Sequence, residues 1–246
     1  RSRGMKEEKH EKEIKAKKKL IKIIGTIIVG GVLMMTASCG VVGKGSRSWI
    51  ENKVSDIEKV YPTENLEDLF EKFPNGFIIR QTRLFKEEDK SYSVDLELIG
   101  NKDTKKIEGK VRKVLLESKP YYKETIEEES KLEYIKGKNL VLEKPELALG
   151  LLFKNYFIFQ KLKLDKGILK NLSLERKQYL SSNGTYGIEY NIQNKIVNEY
   201  FGLKEGESVI MRLSGYEGIE KEGYVQGVVI KNIKKEINYM EEVRGK

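Results

Sequence analysis

The sequence predicts an α+β fold: antiparallel sheets with a few packed helices, set out as two similar halves and preceded by a separate helical segment. Three observations carry this expectation. Runs of period-two alternation, bounded by charged or Gly/Asn turns, recur between positions 77 and 240. Short stretches with helical spacing, at 49–60 and 194–201, interrupt them. The uncharged run 23–38 stands apart from all that follows. With 39% hydrophobic and 35% charged residues and only 4 prolines in 246 positions, a globular class is favoured over a disordered tail or a multi-span membrane protein.

The N-terminal segment has three parts. Residues 1–22 hold ten Lys/Arg against four Glu, so six of the nine net positive charges lie there and three are left for the rest. The sixteen uncharged residues after Lys22 then close on Thr36-Ala37-Ser38-Cys39-Gly40. Basic head, apolar centre and small-residue cleavage site are the grammar of a secretory signal, here spanning 1–38. Lysines stay with the anionic inner leaflet, and sixteen residues fall short of the roughly 20 that a spanning helix needs. Small side chains at Ala37 and Ser38 give a peptidase access, and the Cys39 thiol is the nucleophile that accepts a diacylglyceryl group. Thr36-Ala37-Ser38-Cys39 thus resembles a lipobox, although its first position is more often Leu. Residues 1–4 are expected not to be native, with Met5 the natural start.

Residues 39–48, rich in Gly, Val and Ser, read as a flexible tether of roughly 15 to 18 Å, and the globular domain as 49–246. Trp49 is expected to pack against the helix that places Ile50, Val54, Ile57 and Val60 on one face. Pro62 stops that helix, and Thr63 is expected to cap a second one over 65–70. Strands follow at 77–85, 92–99 and 107–116, with a further hairpin around Gly137-Lys138-Asn139. Pro145 opens an expected helix, and the dense apolar stretch 147–164 packs on the sheet, as helix or, for 156–164, as buried strand. The second half has strands at 172–180 and 186–192 around an Asn183-Gly184 turn, a helix at 194–201, and strands at 208–213, 224–233 and 237–240. Two sections of strands plus a helix suggest a distant duplication, without a residue-by-residue repeat.

The segment Val60-Tyr61-Pro62-Thr63-Glu64-Asn65-Leu66-Glu67-Asp68-Leu69-Phe70-Glu71-Lys72 resembles the start of the folded part of the staphylococcal tandem lipoproteins. Gly76-Phe77-Ile78-Ile79-Arg80 resembles the family's first strand, Ile107-Glu108-Gly109-Lys110-Val111 its third, and the stretch from Val209 to Gly218 its late glycine-punctuated strand, in the same order. With Cys39-Gly40, the similarity covers most of 36–240, while the long leader and 119–170 depart from it. The resemblance implies a Gram-positive surface lipoprotein without established enzymatic activity. It also implies sensing of the lipidated N-terminus by toll-like receptor 2 and a part in host-cell invasion.

Composition narrows the chemistry. The one cysteine excludes a disulfide framework and multi-cysteine zinc sites, and the one histidine, His10, sits in the leader. The usual general base is thus missing from Cys39 onward. Residues 40–46 lack the spacing of a phosphate loop, and the acidic runs 87–89 and 127–129 lack that of a calcium loop. Tyr121-Tyr122 with Arg80, Arg83, Lys110, Arg112 and Lys113 could line a strand face for an anion, but a surplus of three charges is too diffuse for nucleic acid. The expected protein is a non-catalytic interaction module on the extracellular face of the cell membrane, without cofactor or metal. Its expected partners are the membrane through the lipid anchor, lipoprotein-processing enzymes and host receptors, and not nucleic acid. An envelope carrier that holds a small ligand on its sheet is the alternative, and a carboxylate-based hydrolase the third reading.

Overall fold

The computed structural model describes residues 43–118, 120–218 and 225–246; the expected signal segment 1–38 and Cys39 lie outside them. The first run of strands is β1 (Phe77–Glu87), β2 (Lys90–Gly100), β3 (Ile107–Glu117), β4 (Lys123–Ile135) and β5 (Asn139–Leu142). The second is β6 (Ser173–Leu180), β7 (Thr185–Ile192), β8 (Val209–Tyr216), β9 (Val225–Asn232) and β10 (Ile237–Gly245). Helices α1 (Arg47–Val54), α2 (Leu69–Lys72), α3 (Ala148–Leu151), α4 (Lys166–Asn171) and α5 (Lys195–Phe201) lie between or before them. Mostly antiparallel sheet is therefore the character of the fold.

The two runs do not make separate sheets. Among the described residues they form one ten-stranded sheet in the order β5-β4-β3-β2-β1-β10-β9-β8-β7-β6. Each run is a five-stranded meander, and the first strand of one pairs antiparallel with the last strand of the other, Phe77 opposite Gly245 through Arg83 opposite Tyr239. Two irregularities shift the register, at Lys113/Val114 against β4 and at Leu174/Arg176 against β7. Each adds local twist to a long hairpin.

Alternation puts most of the buried apolar strand residues on one face. Ile79, Leu98, Val111, Ile188, Met211, Ile230 and Val243 share that face and a single core with Ile50, Ile57, Leu66, Leu69, Phe159 and Leu169 from the helices and loops. The opposite face carries the polar partners of each strand, as expected of an antiparallel sheet covered on one side.

Several elements differ from expectation for identifiable reasons. The stretch 147–164 is neither one helix nor a strand: a 3₁₀ turn at Pro145–Leu147, the single turn of α3 and a second 3₁₀ turn at Ile158–Gln160 carry it. Leu151, Phe157, Ile158, Phe159, Leu162 and Leu164 are all buried, so the apolar density serves plugging into the sheet rather than a helical stripe. Thr63 does not cap α2. Its hydroxyl donates to the Val60 carbonyl at 2.7 Å and accepts from Lys72 Nζ at 2.6 Å, while Asn65 opens the following turn. β4 runs through the glutamates of 124–129, and β10 extends to Gly245 through Glu241 and Glu242, because one side of each strand faces solvent or a buried network.

Candidate functional site

The first described residue, Gly43, is already bonded into the domain. Residues 43–48, expected as free tether, are folded: Ser46 N donates to the Gly43 carbonyl at 3.0 Å, and Ser46 Oγ caps α1 by accepting from Trp49 N at 3.2 Å. Lys177 Nζ, on β6, donates to the Gly45 carbonyl at 3.0 Å. Lys44 Nζ lies 3.1 Å from Glu217 Oε1, and the Tyr179 hydroxyl donates to Glu217 Oε2 at 2.8 Å. The Tyr179 hydrogen bond, then that of Lys44, holds the Glu217 carboxyl below the usual range. Trp49 is half-buried, edge-on to Tyr179 at 5.2 Å and to Tyr186 at 5.6 Å, which agrees with a packed Trp. Arg47 fixes α1 to the sheet side: Nε donates to buried Glu51 at 2.7 Å, and Nη2 donates to the carbonyls of Leu169, Lys170 and Leu172 that end α4. The N-terminal attachment is thus rigid and adjoins β6.

From that edge the uncovered face of the sheet begins with a charge cluster. Arg176 on β6 grips Glu189 on β7 with two bonds, 3.1 and 2.8 Å, and Arg212 on β8 reaches the same carboxylate at 3.4 Å. Arg212 is only 8% exposed, lying over Gly187, where a Cβ would come within 3.2 Å of its guanidinium. The missing side chain is what admits it. Lys231 on β9 stands one row further along, half-buried and without a carboxylate at ion-pair distance among the described residues. Burial lowers its pKa, and the neighbouring arginines add to that while Glu189 opposes it. A shallow depression runs between Arg176, Gln178, Gly187, Glu189 and Arg212.

The far end of the same face has another character. A groove of about 600 Å³ lies over β2 to β5, with Ile99 and Val141 among its apolar walls and Glu108, Glu133, Glu143 and Lys131 around them. Glu108 and Glu133 are directly opposite in register, a like-charge pair that disfavours an anion there.

On the covered face, Glu241 is fully buried at the seam between the meanders. It accepts from Ile158 N and Phe159 N at 2.9 Å each, from the Tyr61 hydroxyl at 3.3 Å and from the Tyr239 hydroxyl at 2.5 Å. Gln81 Nε2 donates in turn to the Tyr239 and Tyr200 hydroxyls. Burial outweighs these donors and pushes the Glu241 carboxyl up to about 7. With every lone-pair direction occupied by protein, this carboxylate is a structural pin that holds the 157–160 loop, whose amides lack a helix of their own.

Of the residues singled out from the sequence, Thr36, Ala37, Ser38 and Cys39 lie outside the described residues. The basic set Arg80, Arg83, Lys110, Arg112 and Lys113 is divided between the two faces. Arg80, Lys110 and Arg112 are on the uncovered face, Arg83 and Lys113 on the covered one. Arg80 is paired to Glu97 and Glu242, Lys113 to Glu87, and Lys110 lies 4.0 Å from Glu129. Among the described residues no group of three His, Cys, Asp or Glu stands close enough to hold a metal ion, and no helix is long and apolar enough to cross a membrane. Sequence reasoning missed the Arg176–Glu189–Arg212–Lys231 cluster. The Asn-Gly turn was the available signal, since it fixes β6 against β7 and so brings Arg176 near Glu189, but the bulge after Leu174 hides the register. No protein-family model matches this chain, and no curated protein matches it.

Proposed function

We propose that the chain is a surface lipoprotein of the staphylococcal tandem type, held on the extracellular face of the cell membrane by a diacylglyceryl thioether on Cys39. Its α+β domain, with helices packed on one side of the sheet and two similar halves, then acts as a non-catalytic interaction module. The lipidated N-terminus is the ligand for host innate-immune recognition, with a part in host-cell invasion. The observation that carries this reading is the succession of lysines, sixteen uncharged residues and Thr36-Ala37-Ser38-Cys39. Support of a different kind comes from the folded residues: Gly43, four positions after Cys39, is already hydrogen-bonded into the domain, so an acylated Cys39 is at most four residues from it.

The chemistry is that of anchoring. Each buried methylene contributes about 0.8 kcal/mol, and the two acyl chains of a diacylglyceryl group suffice for stable attachment. Wild-type protein is expected in the detergent phase of a cloud-point partition, and Cys39→Ala in the aqueous phase or uncleaved. A Cys39→Ala variant processed and partitioned like wild type contradicts the reading.

The carrier alternative takes its support from the groove over β2 to β5. Native mass spectrometry of protein drawn from its own membranes separates the two. A stoichiometric small molecule, lost on Ile99→Glu, favours the carrier.

A further inference from the structure

The β6 edge is both where the chain leaves for Cys39 and where the uncovered face is most basic. Arg176, Arg212 and Lys231 are opposed there by Glu189 and, at the β6 bulge, Glu175, a local surplus of one positive charge, while Lys177, opposite Ile188, faces the covered side; Lys231 is drawn out of solvent with no carboxylate at ion-pair distance among the described residues. At the β4–β5 end Glu108, Glu133 and Glu143 outnumber Lys131. The face is therefore electrically polar along the sheet. Four residues of extended chain reach about 14 Å at most, and Gly45 is fastened to Lys177, next to Arg176 along the edge strand though on the covered side of it. A screening length of about 8 to 10 Å makes charges at that distance from a bilayer matter, and those at the opposite edge matter far less.

We infer that the cluster of Arg176, Arg212 and Lys231 is a docking surface for the phosphate headgroups of anionic phospholipid in the anchoring bilayer, laying the β6 side of the domain on the membrane. This rests on the lipoprotein reading above. Arg176 and Arg212 share the one Glu189 carboxylate, so two guanidinium charges stand against one negative charge, and the weak hydration of arginine lowers the cost of leaving water. Gly187 leaves the Arg212 guanidinium lying on the sheet beside Glu189. Lys231, one row away, is the cation whose charge a headgroup phosphate offsets.

The test uses Trp49, the only tryptophan, which lies against Tyr179 on β6. Protein extracted with its native N-terminus is reconstituted into vesicles of phosphatidylcholine, or of phosphatidylcholine with phosphatidylglycerol, each carrying a headgroup dansyl acceptor. Transfer from Trp49 should rise on adding phosphatidylglycerol, and the rise should vanish in Arg176→Gln/Lys231→Gln. It should shrink in Lys231→Gln alone, which breaks no ion pair, and persist in Lys110→Gln/Lys131→Gln, which removes the same charge from the other end. Equal transfer in both vesicles, or a rise that both double variants abolish equally, overturns the docking surface. Transfer indifferent to lipid, together with cluster-dependent binding of soluble poly(glycerol phosphate), overturns it in favour of an envelope polymer. Saturable binding of inorganic phosphate alone overturns it in favour of a free-anion site. Intact mass of the same sample separates the two levels: acylated protein with lipid-indifferent transfer contradicts only the docking, whereas absent acyl mass contradicts the anchor.

Discussion

Glu241 shows how one residue can decide a fold that its immediate neighbours leave open. Its carboxylate collects four donors, two of them the amides of Ile158 and Phe159, and so replaces the helix ladder that 147–164 does not form. Glu241→Ala leaves those amides and two tyrosine hydroxyls buried and unmatched, at a cost of roughly 3 to 5 kcal/mol, readable as a lowered urea midpoint. The pH dependence has a definite sign. Burial raises the folded value from 4.5 to about 7, so the folded state holds the proton more tightly than the unfolded chain. Stability from this group is full below pH 4.5, falls as pH climbs to 7 and is level above, by about 3 kcal/mol in all. Urea titrations from pH 4 to 8 should show that slope in wild type and not in Glu241→Gln; the same slope in both removes Glu241 as its source. Nothing in the local sequence announces this role. A Glu-Glu pair in a strand reads as solvated, and only pairing with the distant β1 puts the first of them inside.

At the scale of elements, α1 depends on a charge pair between half-buried Arg47 and buried Glu51. Arg47→Ala strips Glu51 of its guanidinium and frees three carbonyls at the end of α4, which should cost roughly 3 kcal/mol. Adding Glu51→Gln should recover more than half of that, because the unpaired carboxylate is then gone; simple additivity of the two losses in denaturation would contradict the coupling. In β3, a Cβ on Gly109 would fall 1.9 Å from the Glu97 carbonyl oxygen, so Gly109→Ala must open the β2–β3 ladder. A loss of roughly 2 to 4 kcal/mol is expected, with faster amide exchange along 96–99. Elements with clean alternation or a turn signal were legible in the sequence: β1 to β3, β6 and β7 around Asn183-Gly184, and α5 with its Asn194 cap. Those that failed share a cause. β4 and the end of β10 are rich in glutamate, and 147–164 is apolar without a period, so in each case partners far along the chain, not local preference, fix the backbone.

For the whole molecule, the joining of β1 to β10 turns two meanders into one sheet, and no signal in either half specifies that register. What the sequence offers at this scale is an expectation, a basic leader and apolar run for export and a thiol for attachment, beside strands whose mostly antiparallel sheet the structure shows. The charge cluster near the attachment point became visible only when pairing brought Arg176, Glu189, Arg212 and Lys231 onto one face. Under the proposed anchoring, its place on the edge strand that also holds Gly45 would tie the domain's orientation to the membrane. The intact mass of protein extracted from its own membrane tests that anchor most directly. A polypeptide beginning at Cys39 and heavier by a diacylglyceryl group is the expected result. One that begins upstream of Cys39 and carries no added hydrocarbon contradicts the lipoprotein reading and the orientation drawn from it.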